Sequence, residues 1–277
     1  MTQFTVFGNP IAHSVSPKIH QLFAEQFGLA LTYSRSLSSS ATFAAAVAKF
    51  FRHGGAGANV TVPFKESAAA LVTHLTPRAE RAASVNTLIP LGLGQLAGDT
   101  TDGLGLCRDL QRLTQQKTPA PRVLVIGGGG AARSVIEPLQ ELGCEVVISN
   151  RSRDRVQPLT TVFEGLEILD FAELERPPTD VFKGSQWLVI NATSASLQGA
   201  ELPIHPHWFA NANLVYDMMY AAQTTPFLQQ ARKGGAVQVA DGLGMLVEQA
   251  ALSFALWHDG LQPSTEPVLD ALRKGLR

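Results

Sequence analysis

Residues able to do chemistry fall into two groups along this sequence, and the groups differ in kind. In the first hundred positions, small polar side chains follow the ends of short apolar runs. Ser14 and Ser16 come after one such run, Asn59, Thr61 and Lys65 lie around a second, and Asn86 and Thr87 sit on a third. Hydroxyls, amides and one ammonium suit a ligand carrying several hydroxyls and a carboxylate, because each must recover the hydrogen bonds it gives up on leaving water. The second group begins where the apolar run Arg122 to Ile126 opens into Gly127, Gly128, Gly129 and Gly130, followed by Ala131, Ala132 and Arg133. That is a G-x-G-x-x-A pattern between a strand and a helix, the context a dinucleotide fingerprint requires. Gly127 permits the tight turn, Gly129 lets the backbone approach a pyrophosphate without a Cβ in the way, and Ala132 lets helix and strand pack closely. The helix start then offers unpaired N–H groups to phosphates.

The end of the following strand chooses the nucleotide. Ser149, Asn150, Arg151, Ser152, Arg153, Asp154 and Arg155 put no carboxylate where an NAD enzyme grips a ribose hydroxyl, about twenty residues past the glycine turn. Three arginines cluster there instead. A guanidinium matches a ribose phosphate with two directed bonds, so Arg151 and Arg155 read as a clamp for NADP. The plain alternatives are a structural turn and a solvated basic loop; the position after two strands favours the ligand.

These residues need elements to hold them. Gln3 to Gly8 reads as a strand, and Ser16 with Pro17 opens a helix carrying Ile19, Leu22, Phe23 and Phe27 on one face. Leu31 to Leu37 and Gly57 to Val62 read as further strands separated by an Ala- and Phe-rich helix, an alternation that implies a parallel sheet. A helical stretch follows from Lys65, and Ala83 to Gly98 reads as a hairpin at the edge of this unit. Asp102 to about Gln115 is helical and runs into a linker, Lys117 to Arg122. Beyond it, strands at Glu145 to Ser149, Trp187 to Ile190, Asn213 to Asp217 and Ala236 to Val239 complete a doubly wound nucleotide fold. Asp241 to Trp257 and a last helix, Glu266 to Leu276, add no strand and fold back on the first domain. The expected architecture is α/β: an open α/β substrate domain, 1–101 completed by 242–277, plus a Rossmann domain, 102–241.

Taken in order, the segments starting at Gly8 (through Ser14, Ser16 and Pro17), Asn59 (through Thr61 to Lys65), Val85 (Asn86, Thr87), Thr101 (Asp102, Gly103) and Asp241 (through Gly242 to Gln249) resemble the motif series of the shikimate dehydrogenase family. Asn191 to Ser194, and Tyr216 to Tyr220 with Thr225 to Leu228, add two more motifs in the same order. The resemblance implies reversible reduction of 3-dehydroshikimate to shikimate with NADPH, in the biosynthesis of chorismate and the aromatic amino acids. It makes Lys65 the proton carrier, paired with Asp102. It gives Ser14, Ser16, Asn59, Thr61, Asn86, Thr101, Tyr220 and Gln249 to the substrate. Gly127, Gly128, Gly129, Gly130, Ala131, Asn150, Arg151, Ser152, Arg155, Thr193, Met218 and Gly242 go to the cofactor. Two positions depart from the family pattern: Thr100 replaces its usual Asn, and Pro77 stands where an acidic residue often lies. The nearest competing activity is that of a quinate/shikimate dehydrogenase; a catalytically silent NADPH-binding protein is the alternative of another class.

Taken singly, these residues have plainer readings. Lys65 suits the first turn of a helix, Asp102 and Ser16 suit caps, Met218 and Tyr220 suit packing at a strand end, and His13 and His20 suit a loop and a helix surface. Composition narrows the class. The chain has 277 residues, 45% of them hydrophobic, and 22 Lys+Arg against 23 Asp+Glu leave a net charge of -1, so nothing draws it to nucleic acid or an anionic membrane. Its two cysteines, Cys107 and Cys144, have no metal-ligand spacing and are expected to stay unpaired, and no metal is expected. No apolar run reaches the roughly 18 residues of a membrane span, and a cytoplasmic protein, as a possible homodimer, is expected.

Overall fold

The first apolar run forms β1 (Thr2–Gly8), whose last five residues are buried. Alternation sends Phe4 and Val6 to one face of a sheet and Phe7 to the other, and each face has its own core. The computed structural model describes residues 1–116, 120–178, 182 and 186–275. They form two units, Met1–Gly105 with Val247–Gly275, and Leu106–Leu246.

In the first unit, β2 (Leu31–Leu37) and β3 (Gly55–Val60) run parallel to β1 on either side. The sheet then turns antiparallel. β5 (Thr87–Gly92) pairs antiparallel with β3 and with β6 (Gln95–Asp99), and β4 (His74–Leu75) pairs with β6, giving the order β2-β1-β3-β5-β6-β4. This corrects two expectations: the sheet is mixed, and its edge is β4 and not the hairpin. Two residues leave no periodicity in a sequence, so β4 is invisible there. The helices are α1 (Ser16–Gln26), α2 (Phe43–Arg52), α3 (Lys65–Leu71) and α4 (Pro77–Ala82). α5 (Asp102–Thr114) and α10 (Leu243–Trp257) each contribute one end to this unit, and α11 (Glu266–Gly275) belongs to it wholly.

His20 corrects another expectation. It is buried in α1, its ring stacked on Tyr33 at 4.4 Å and close to Phe23 and Trp257. The face that packs is Ser16, Ile19, His20 and Phe23, spaced as a helix stripe must be, whereas Phe27 lies past the helix end and is exposed. Burial pushes the His20 imidazole down to about 3, so the ring is neutral.

The second unit is a fully parallel sheet in the order β12-β11-β10-β7-β8-β9. Its strands are β7 (Arg122–Ile126), β8 (Glu145–Ser149), β9 (Glu167–Ile168), β10 (Trp187–Asn191), β11 (Leu214–Asp217) and β12 (Val239–Asp241). Read from β9, this is the doubly wound order, in which the chain's progress across the sheet reverses between β7 and β10. Those two strands are buried on both faces, which explains their unbroken apolar sequence. α6 (Gly130–Glu141), α7 (Leu159–Val162), α8 (His207–Ala210) and α9 (Pro226–Lys233) cover the sheet. β12 starts three residues later than the sequence suggests, because Gly234 and Gly235 still close α9. Lys117, Thr118 and Pro119 of the expected linker, and Leu276, lie outside the described residues. Cys107 and Cys144 are free and buried. Among the described residues no helix is long and apolar enough to cross a membrane.

Candidate active site

Lys65 is the first residue of α3, directly after buried Phe64, whose ring stacks on Phe43 at 4.6 Å. Asp102 is the first residue of α5, shortly after β6. The two meet: Lys65 Nζ donates to Asp102 Oδ2 at 2.6 Å, with only 13% and 6% of their side chains exposed. The other carboxylate oxygen accepts from Asn86 Nδ2 at 3.1 Å. The same amide nitrogen lies 2.8 Å from Thr101 Oγ1 and 2.9 Å from Gln249 Oε1. Asn86 Oδ1 in turn accepts from the Thr101 backbone at 2.9 Å. Gln249 sits on α10, and a Cβ at Gly105 would fall 2.7 Å from its Cβ, so the glycine is what lets the start of α5 lie against it. An ammonium is thereby fixed beside a carboxylate and surrounded by amide and hydroxyl groups, a set able to hold polar substituents and move a proton.

Nearby loops add two hydroxyls. Ser14 Oγ donates to Ser16 Oγ at 3.1 Å and accepts the Ser16 backbone N–H at 3.3 Å. The Ser14 segment and the Thr61 segment follow neighbouring strands, tied by the bonds from Asn9 N to Val62 O and from Thr61 N to Phe7 O. Asn59 is buried behind them. Its amide donates to Asn86 O and Ser253 Oγ, both at 3.0 Å, while its Oδ1 accepts from Tyr33 OH at 2.7 Å.

In the second unit, Gly127 has φ +128, a backbone state that L side chains rarely adopt, and its N–H donates to Ser149 O. A Cβ at Gly129 would meet nothing within 4 Å: the loop leaves open space on that side, at the start of α6, where no side chain caps the helix. Ala132 is fully buried in the core. At the end of β8, Asn150 Nδ2 donates to Ser152 O at 2.8 Å. Arg151, Ser152, Arg153 and Arg155 are exposed, and Arg153 is paired with Asp170. Across the sheet, Asp217 accepts from Asn191, Ser196, Thr225 and the Met219 backbone. Burial pushes this carboxyl up, while those four donors favour its charged form. Asn191 Oδ1 also accepts from Thr193 Oγ1 at 2.7 Å. Gly242 has no room for a side chain, since a Cβ there would lie 2.2 Å from Met218 O.

Comparison with known proteins bears on both units. Family profiles match three stretches: the shikimate dehydrogenase substrate binding domain over residues 6–88, shikimate/quinate 5-dehydrogenase over 110–196, and the shikimate 5'-dehydrogenase C-terminal domain over 242–273. The shikimate dehydrogenase (NADP(+)) of Dechloromonas aromatica is 48% identical over 277 residues, covering 99% of this chain and 98% of that protein. This chain belongs to the shikimate dehydrogenase family. Among solved structures, an Ael1 enzyme from Pseudomonas putida is 36% identical with a TM-score of 0.86, covering 98% of each chain. A shikimate 5-dehydrogenase from Thermus thermophilus, crystallised with NADP(H) and shikimate, is 31% identical with a TM-score of 0.82, covering 99% of each chain.

Of the positions that the shikimate dehydrogenase motifs single out, the first unit gathers Lys65, Asn86, Thr101, Asp102 and Gln249 into one network, with Asn59 joined to it through Asn86. Tyr220 belongs to the second unit, after β11. Sequence reasoning missed Tyr33 and Ser253. Ser253 had a signal, standing four residues after Gln249 in a stretch, Ala250 to Trp257, that is otherwise apolar; Tyr33 had none beyond being a tyrosine in a strand. Thr87, noted as polar, donates to Asn86 Oδ1 at 2.8 Å and shares a bond with Ser253. The two departures from the family pattern have local accounts. Pro77 takes the first turn of α4 behind the capping Thr76, and Thr100 is buried with its hydroxyl unpaired. Beside them, Asp99 accepts from Thr76 Oγ1 and from Arg78 in a two-pronged pair.

Proposed function

We propose that this protein is an NADP-dependent shikimate dehydrogenase, interconverting 3-dehydroshikimate and shikimate in aromatic amino-acid biosynthesis, with Lys65 carrying the proton. The observation that carries the reading is the 2.6 Å pair of Lys65 and Asp102, both nearly buried and both joined to Asn86 and Gln249 through one network. Reduction of a ketone builds negative charge on its oxygen, and an ammonium within reach stabilises that charge and then gives up a proton. Lys65 Nζ has three N–H bonds, of which Asp102 takes one. In the reverse direction Lys65 takes the proton from the substrate hydroxyl. Asp102, held on its other side by Asn86, keeps the ammonium in place throughout.

Residues of the second unit fit NADP. Gly129 leaves open the space a diphosphate needs, α6 begins uncapped beside it, and exposed Arg151 and Arg155 follow β8, where a ribose phosphate would find guanidinium groups. Gly127, Gly128, Gly130, Ala131, Asn150, Ser152, Thr193, Met218 and Gly242 are assigned to the same cofactor, which supplies the hydride when bound. We assign the first unit to the substrate, with Ser14, Ser16, Thr61, Asn86 and Gln249 as its contacts. Asn59 and Thr101, being buried, hold Asn86 in place. The substrate role of Tyr220 rests on the resemblance alone. The cytoplasm is the proposed compartment, in keeping with two free thiols. The open edge at β2 and exposed Leu91 and Leu93 support a homodimer, to be checked by light scattering.

The deciding assay is formation of reduced nicotinamide by the purified protein, with shikimate and quinate each tried against NADP and NAD. Turnover should be fastest with shikimate and NADP. Equal or better turnover of quinate with NAD would overturn the substrate and cofactor assignment, and cofactor binding without turnover would favour the silent binding protein.

A further inference from the structure

We propose that Arg35 is the residue by which this site reads the negative charge of the substrate's carboxylate, acting beside the Ser14 and Ser16 hydroxyls; the proposal rests on the dehydrogenase reading above. Arg35 lies near the carboxyl end of β2, opposite Val6 of β1 and two residues after Tyr33, so it shares the sheet face that Tyr33 occupies. Its side chain is committed at one point only. Nε donates to the Ser14 carbonyl at 2.8 Å, which uses one of five N–H bonds and leaves the four on Nη1 and Nη2. Among the described residues no Asp or Glu forms an ion pair with it.

The hydroxyl pair beside it is also biased toward an acceptor. Ser14 gives its hydroxyl hydrogen to Ser16 and takes the Ser16 backbone hydrogen, so the hydrogen on Ser16 Oγ is the one left to give. Ser16 is buried, and a donor in that position gains most from a charged acceptor. The other end of the site points the opposite way. Asp102 has both oxygens hydrogen-bonded, one to Lys65 and one to Asn86, so a ligand carboxylate placed there would lie against a like charge, whereas a ligand hydroxyl would not. Shikimate is an acid with its carboxylate on the ring. Orienting it with the carboxylate toward Ser16 and Arg35, and its hydroxyls toward Lys65 and Asp102, is the arrangement that keeps like charges apart. Arg35 thus does two things: it fixes the Ser14 loop through a carbonyl, and it supplies the positive charge that two neutral hydroxyls lack.

The two roles separate by experiment. Binding of shikimate and of its uncharged methyl ester is measured by calorimetry on wild type, Arg35→Gln and Arg35→Lys, at low and high salt. Arg35→Gln should weaken shikimate roughly fivefold, the upper range for a solvent-exposed ion pair, and leave the ester unchanged. The salt dependence of shikimate binding should shrink in the same variant. Arg35→Lys, which keeps the charge, should keep the preference for acid over ester. Equal loss of acid and ester in Arg35→Gln would overturn the proposal and make Arg35 a loop support; unchanged affinity for both would overturn it too. Wild-type turnover is followed separately: shikimate binding without turnover would sink the dehydrogenase reading while the acid-to-ester ratio still judged Arg35, and absence of shikimate binding to wild type would sink both.

Discussion

The two units build their sites from different material. In the first, the network consists of side chains from β3, β5, α3, α5 and α10 and the turns beside them, tied by hydrogen bonds between residues as far apart as Asn86 and Gln249. In the second, the central feature is backbone: a glycine turn with positive φ at Gly127 and open space at Gly129. A side-chain site concentrates its chemistry in one or two groups whose loss is severe. A backbone site spreads binding over many N–H groups, so that single side-chain changes trim affinity without stopping the reaction.

The contrast is sharpest at Lys65. Lys65→Met keeps most of the packing of the stem and removes the charge, and turnover should fall by about 10²-fold or more while shikimate binding weakens much less. Asp102→Asn should also lower turnover, with a larger loss of substrate affinity, because the carboxylate holds Lys65 and Asn86 together. Near wild-type turnover in folded Lys65→Met, with only its affinity reduced, would turn Lys65 into a binding residue and break the comparison on its catalytic side.

The cofactor side predicts a different pattern. Arg151→Ala or Arg155→Ala should raise the Michaelis constant for NADPH, leave that for shikimate nearly unchanged, and reduce discrimination against NAD. A charge-assisted bond of this kind is worth roughly 1.5–3 kcal/mol, discounted here because both arginines are exposed. Arg153→Ala, a change in the same exposed segment at an arginine not assigned to the clamp, serves as the control. If NADP affinity were untouched in the double variant Arg151→Ala/Arg155→Ala, neither arginine would grip the ribose phosphate and the clamp would have to be sought elsewhere.

The same difference in material decides how much of each site is legible in the sequence. The glycine turn is contiguous and each of its residues has a local reason, so Gly127, Gly129 and Ala132, together with the apolar strands before and after them, identify the second unit. The site of the first unit is scattered from Ser14 to Gln249, and Lys65 or Asp102 alone is as well explained by a helix start. What joins them is the order of motifs, not spacing. Details resting on tertiary packing stay out of reach: β4 is too short to have a period, the antiparallel turn of the sheet depends on which edge β5 finds, and Tyr33 reaches Asn59 only because β1 lies between β2 and β3. His20 escapes for the same reason, being a polar residue at a helix position whose neighbours are aromatic.

That histidine gives a stability test confined to the first unit. Its folded value, about 3, lies below the ordinary 6.5, with burial the main cause and His258 adding to it. Above 6.5 the ring is neutral folded and unfolded, and nothing is lost. As pH falls from 6.5 toward 3, the unfolded chain takes up a proton that the folded chain refuses, so stability drops by up to about 1.4 kcal/mol per pH unit from this group. His20→Phe keeps the ring stack and removes the titration, and its urea midpoint should fall less steeply between neutral pH and pH 4. An identical slope in wild type and variant would show that His20 is already protonated or solvated when folded.

The smallest expected effect concerns the segment that carries Asn86 to its place. Ala83 ends α4 in the left-handed region, with φ 46, where a side chain is disfavoured by about 1 kcal/mol. Ser84, next to it, is fully buried with its hydroxyl unpaired. Ser84→Ala should therefore stabilise by roughly 1 kcal/mol, since it removes a buried group without a partner. Ala83→Gly should gain only a few tenths, because relief of the backbone is offset by the greater freedom of glycine in the unfolded chain. Val85 N donates to Lys65 O at 3.0 Å, and Asn86 follows, so this segment supports the network of Lys65, Asp102 and Asn86 without adding a side chain to it. Both substitutions should raise the melting temperature and leave kcat and the Michaelis constants within about twofold, the scale of a change outside the reacting groups. A Ser84→Ala protein that melted earlier than wild type would mean the hydroxyl has a partner, such as an ordered water. A stabilised variant with lowered kcat would carry the comparison further, because it would show that the side-chain site depends on strain in its supporting loop.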